Sequence, residues 1–164
     1  MFDAYRQVLR IPGARAFLTA GFLLRLPLAM YPVGLVLLIS LSTGDYARGG
    51  LLTAAYILGL AAGNQLLSGI ADRRGQRVVL LPTGVVHALA VLTLVVLVQT
   101  SAPVTAEAGA SAAVGLSCVP VGSLVRARWV TALRTAPGEL GTALSLESAL
   151  DVVRLVVGPL LAAA

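Results

Sequence analysis

What this chain lacks narrows it first. Its 164 residues contain no lysine, one histidine and one cysteine, and only 5% are aromatic. A lone cysteine, Cys118, excludes a disulfide framework and a thiolate metal centre. Charge is scarce too: 12% of residues are charged, against about 25% in an ordinary soluble domain. The arginines are spread over several connections and form no single basic patch, which argues against nucleic acid as a partner. No nucleophile–base pair and no cluster of metal ligands stands out, so neither an enzyme nor a cofactor or metal is expected.

What is present is apolar. The chain is 58% hydrophobic, with a mean hydropathy of +0.93. Such a composition predicts an all-α polytopic membrane protein, because a helix satisfies its own backbone groups in lipid. The lipid bilayer is then the first partner. Residues 1–15 mix Tyr5, Leu9 and Ile11 with Arg6, Arg10 and Arg15, the pattern of a cytoplasmic interfacial segment. The transmembrane region follows over residues 16–164, in about five spans: 16–40, 49–70, 78–98, 108–125 and 142–164. The first run is too long for the apolar core of a cleaved signal. In the second, Ala55, Gly59 and Gly63 recur every four residues and form a smooth stripe for close helix approach. Residues 126–141 read as a basic connection, with Trp129 at the membrane interface.

Arginine counting sets the orientation. Arg6, Arg10, Arg15, Arg73, Arg74, Arg77, Arg126, Arg128 and Arg134 lie in alternate connections, and Arg48 alone lies in the others. The excess puts the N-terminus in the cytoplasm, with the plasma membrane as the expected site.

Four sets of residues are candidates for function. The first is the hairpin of residues 68–77, reading S-G-I-A-D-R-R-G-Q-R. Asp72 there opposes the dipole at the end of a span and calls for a positive partner, which Arg73, Arg74 or Arg77 could supply. Gly75 provides the positive φ that a tight turn favours. The second is Glu147, Asp151 and Arg154, whose spacings of four and three put them on one helical face. A lone ion at mid-bilayer costs about 2.5–3.5 kcal/mol, so these groups should face one another or a wet cavity. A proton or substrate site and a structural ion network both fit. The third is Gly158-Pro159 on the same helix, a packing kink on its own terms. The fourth is Arg25, about 13 Å into the first span by helix rise. It either snorkels to the cytoplasmic face or pairs with Glu147 or Asp151. Asn64 and Gln65 read as interhelical hydrogen-bond formers, and His87 as a packing histidine.

The hairpin resembles the loop signature of the major facilitator superfamily, G-x-L-A-D-R-x-G-R-R, found between helices two and three. Ala71, Asp72, Arg73, Gly75 and Arg77 match; Ser68, Ile70 and Gln76 depart from it. The resemblance implies an N-terminal portion of a twelve-helix transporter, helices one to five, working by alternating access on a small-molecule solute. It makes Asp72, Arg73, Gly75 and Arg77 a cytoplasmic gate latch and directs Arg25 into a central cavity with Glu147, Asp151 and Arg154. Gly158-Pro159 resembles the centre of the antiporter signature in helix five, which implies efflux, although Arg154 replaces its first glycine. Helix four of many such exporters carries an arginine where Ser111 stands, so the proton-relay arginine is either missing, which argues against classical drug/proton antiport, or its job falls to Arg25 or Arg154. On this resemblance the chain is expected to be truncated and inactive alone, with a C-terminal half or another membrane chain as partner. The alternative is a small polytopic scaffold or regulator derived from such a half.

Overall fold

The computed structural model describes residues 2–134 and 137–163. Helices account for nearly all of them, and no strand occurs among the described residues. The elements are α1 (Phe2–Arg10), α2 (Ala14–Thr43), α3 (Tyr46–Arg74), α4 (Gln76–Gln99), α5 (Val104–Leu116), α6 (Val121–Ala132), a 3-10 turn (Pro137–Glu139) and α7 (Leu140–Ala163).

Four stretches are long and apolar enough to cross a membrane: Ala14–Thr43, Tyr46–Arg74, Val78–Gln99 and Val104–Ala132. A core of about 30 Å needs roughly 20 helical residues, and each exceeds that. The fifth long helix, α7, has 24 residues but carries Glu147, Asp151 and Arg154 near its middle. Leucines and valines on the span helices are widely exposed, Leu58, Leu81 and Leu92 among them. In lipid such side chains need no protein cover.

The chain falls into two compact units. One comprises Tyr31–Pro120 and the other Met1–Met30 with Val121–Ala164. In the first, Leu35 and Ile39 of α2, Leu52 and Tyr56 of α3, Leu94 of α4 and Val114 of α5 share a buried core. The contact of α3 with α5 depends on small residues. A Cβ at Gly59 would fall onto the carbonyl of Ala112, one at Gly63 onto that of Leu116, and one at Gly115 onto that of Tyr56. The stripe expected from Ala55, Gly59 and Gly63 is therefore where α5 lies against α3. Ser111 adds a buried bond, its Oγ donating to Leu52 O at 2.7 Å.

In the second unit α1 packs on α7, burying Val8 completely. Phe17 of α2 meets Trp129 of α6 edge to face, with ring centroids 4.6 Å apart. Trp129 is fully buried. The expected interfacial tryptophan is thus a core residue, because α6 continues through Arg126 and Arg128 to Ala132 where a connection was expected. The fourth span also differs from expectation: it breaks at residues 117–120 and resumes at Val121. Pro120 has no N–H for the ladder, so a helix restarts after it more readily than it runs through. Pro27, Pro32 and Pro159 interrupt nothing; α2 and α7 run unbroken past them.

Candidate functional site

Charge placed in an apolar helix has to find a partner, and α2, α6 and α7 supply one another. Arg25 of α2 is 6% exposed. Its Nη2 donates to Glu147 Oε1 at 2.6 Å, and its Nη1 donates to Asp151 Oδ1 at 3.0 Å. Nη2 also reaches Val121 O at 3.4 Å, at the start of α6. Asp151 lies 3.7 Å from Arg154 Nε, one helical turn along α7. At the other end, Arg126 Nε of α6 stands 3.9 Å from Glu147 Oε1. The signs alternate in order: Arg126, Glu147, Arg25, Asp151, Arg154.

The pairing has a local cause on each helix. Glu147 and Asp151 are four apart, so both side chains leave α7 on the side that faces Arg25. The guanidinium is planar and presents two forked donors, which lets one arginine bridge two carboxylates. Arg25 therefore does not snorkel to an interface. Charge-assisted bonds this short are about twice as strong as neutral ones, and they oppose the cost of removing the ions from water.

Satisfaction is incomplete. Arg25 Nε, Glu147 Oε2 and Arg154 Nε are buried with no hydrogen-bond partner among the described residues. A cleft lies against Arg25 and Glu147, lined by Leu18, Gly21, Phe22, Arg25, Val125, Glu147, Leu150 and Asp151, with room for about one water molecule. Its walls are mostly apolar and its polar groups converge. Glu147 Oε2 is the acceptor among these three atoms, and the two arginine nitrogens are donors.

Gly158-Pro159 sits further along α7. A Cβ at Gly158 would lie 2.5 Å from Ala29 Cβ and 3.1 Å from Ala29 C. The glycine thus lets α2 and α7 approach closely, and α7 continues past Pro159 to Ala163.

The hairpin is a one-residue connection. α3 ends at Arg74, Gly75 adopts φ +88° with its N–H bonded to Ala71 O at 2.9 Å, and α4 starts at Gln76. Gly75 meets the expected need for positive φ. Asp72, Arg73 and Arg74 lie exposed on the last turn of α3. Among the described residues Asp72 has no ion-pair partner, so Arg73 and Arg74 do not act as its counter-ions. Arg77 belongs to the first turn of α4, and its side chain lies outside the described residues.

One ion pair went unread in the sequence. Arg48 donates through Nε to Glu107 Oε2 at 2.8 Å and through Nη2 to Glu107 Oε1 at 2.6 Å. Nη2 also donates to Ala102 O at 3.0 Å, and Glu107 is fully buried. The available signal was a lone acid opening an Ala/Gly-rich span and a lone arginine on the otherwise arginine-poor side. His87 behaves as a packing histidine: its Nδ1 lies 3.2 Å from both Val114 O and Ser117 Oγ. Asn64 and Gln65, by contrast, make no side-chain hydrogen bond among the described residues.

Comparison with protein-family models, with curated proteins and with solved structures gave no match for this chain.

Proposed function

We propose that this chain forms part of a secondary active transporter of the major facilitator type, which moves a small solute by alternating access in the plasma membrane, and that it works there with a C-terminal half or another membrane chain, its own N-terminus in the cytoplasm. Glu147 is the proton-coupling carboxylate in this reading, Arg25 its switchable counter-ion, and Asp151 and Arg154 the adjoining pair. The observation that carries the proposal is the buried carboxylate of Glu147, with one oxygen on Arg25 and the other free beside a cleft. Ionisable groups within membrane helices are costly enough to favour a functional role. The nine-to-one arginine bias supports the orientation. The hairpin sequence around Asp72 supports the family, and Gly158-Pro159 favours efflux.

Alternating access then needs a site that changes partners. With Glu147 ionised, Arg25 bridges α2 to α7. With Glu147 protonated, Arg25 keeps only Asp151 as a charged partner, and the two helices are less tightly joined. Proton uptake and helix separation are linked through one side chain.

The competing reading is a polytopic scaffold in which the same ions only join helices. The close approach of Gly158 to Ala29 favours it, because tight packing at that point resists helix separation. Proteoliposomes containing the chain and a pH-sensitive dye distinguish the two. Solute addition should move protons in the wild type, and Glu147→Gln and Asp151→Asn should abolish the movement. Proton movement unchanged in both variants would exclude the coupling role.

A further inference from the structure

The two compact units differ in charge. The unit of Met1–Met30 and Val121–Ala164 holds eight arginines against four acids, and Tyr31–Pro120 holds four against three. In the first, Arg25 and Arg154 are met by Glu147 and Asp151. Six arginines are left: Arg6, Arg10, Arg15, Arg126, Arg128 and Arg134. Only Asp3 and Glu139 remain in that unit's sequence to oppose them. All six are exposed. Among the described residues five of them enter no ion pair, and Arg126 reaches Glu147 only at 3.9 Å.

These arginines are scattered in sequence, but packing gathers them. Arg6 and Arg10 are four apart, on the side of α1 away from the buried Val8. Arg15 Nε donates to Leu9 O at 3.2 Å, which ties the start of α2 to the last turn of α1. Two residues on, Phe17 meets Trp129, the chain neighbour of Arg128. The same place is an edge of hydrocarbon. Arg15 is the second residue of the span Ala14–Thr43, and Arg126 and Arg128 lie in the last two turns of the span Val104–Ala132. Guanidinium groups at that depth meet the headgroup layer first, and their forked donors match a phosphate.

We infer that this arginine cluster binds anionic phospholipid headgroups, an inference that goes beyond the transport reading and does not depend on solute movement. A zwitterionic headgroup has the same phosphate, but its ammonium group is repelled by six unopposed cations. A net negative headgroup carries no such penalty, and one arginine near an anionic surface favours contact by about fivefold. Nucleic acid is the other polyanion to weigh. The position of the arginines at the ends of lipid-facing spans favours lipid.

The chain's single tryptophan, Trp129, supplies the test, because it lies beside Arg128. The full chain is placed in phosphatidylcholine nanodiscs doped with phosphatidylglycerol or phosphatidylcholine, each carrying the same pyrene-labelled acyl chain. Energy transfer from Trp129 should favour phosphatidylglycerol by about fivefold or more at low salt. The preference should fall by more than half at about 1 M salt, where the Debye length is about 3 Å. The exposed-site variants Arg6→Gln with Arg10→Gln, and Arg128→Gln with Arg134→Gln, should each reduce the preference at least twofold. Arg73→Gln with Arg74→Gln, in the other unit, should leave it unchanged. Equal transfer from the two lipids, or a preference that survives both cluster variants, would overturn the inference. So would an equal loss in the Arg73 and Arg74 variant. Capture of a short single-stranded RNA without any lipid preference would assign the arginines to nucleic acid instead.

Discussion

Two hydrogen-bonded arginine–glutamate pairs lie among the described residues, one in each compact unit, and they are finished differently. Arg48 and Glu107 form a two-toothed pair, with Ala102 O taking a further donor, and none of their side-chain atoms is left buried and unsatisfied. Arg25 and Glu147 share one short bond, and each keeps a buried polar atom without a partner. Both glutamates are buried, at 0% and 2% exposure. Burial alone therefore does not distinguish the two pairs; completeness of hydrogen bonding does. A closed pair has no capacity left for a proton or a ligand, whereas an open one retains some.

The largest effect should come from opening the closed pair. Arg48→Met strands the fully buried Glu107 and should destabilise the chain by several kcal/mol, the usual consequence of an uncompensated buried charge. Chemical unfolding in detergent would measure it. Next comes a contrast between glycines. Gly59→Leu drives a side chain onto the backbone of Ala112, and a cost of about 1–3 kcal/mol or more is expected for overpacking. Gly158→Ala meets the Ala29 methyl group first and should cost less. The same unfolding assay ranks them, and equal losses would argue that both contacts are equally rigid. Smaller still is Glu147→Gln, which keeps the shape and an acceptor for Arg25. Stability should move by less than about 1.5 kcal/mol, the scale of one net hydrogen bond, while proton coupling disappears. Loss of both together would make the open pair structural after all. The smallest effect is Asp72→Asn on the exposed hairpin, within about 0.5 kcal/mol for a surface site. Asp72 tests the gate reading through transport rate alone.

Much of the helical layout was legible because lipid imposes it. Apolar runs of roughly 20 residues leave a chain few other choices, and α2, α3 and α4 follow those runs. The stripe of Gly59 and Gly63 was legible from its four-residue spacing, although its partner α5 was not. Arg25 was open between snorkelling and pairing with Glu147 or Asp151, with the family resemblance favouring the pair, and the three do meet. The helix carrying Arg126 and Trp129 was not legible, since arginines were read as marking the end of a span. A guanidinium on a long stem can stay wet while its helix continues, and Arg126 does so with a side chain 63% exposed. The Arg48–Glu107 pair was missed for a related reason: each residue alone looks like part of a polar turn. Pairings 59 residues apart leave no trace in local pattern.

The central claim is that Glu147 exchanges a proton and Glu107 does not. Difference infrared spectroscopy of the membrane-embedded chain tests it directly, through the carbonyl stretch of a protonated carboxyl group. Acidification from neutral pH should raise one such band in the wild type, absent in Glu147→Gln and retained in Glu107→Gln. A band that survives Glu147→Gln, or no titrating carboxyl band at all, would contradict the account.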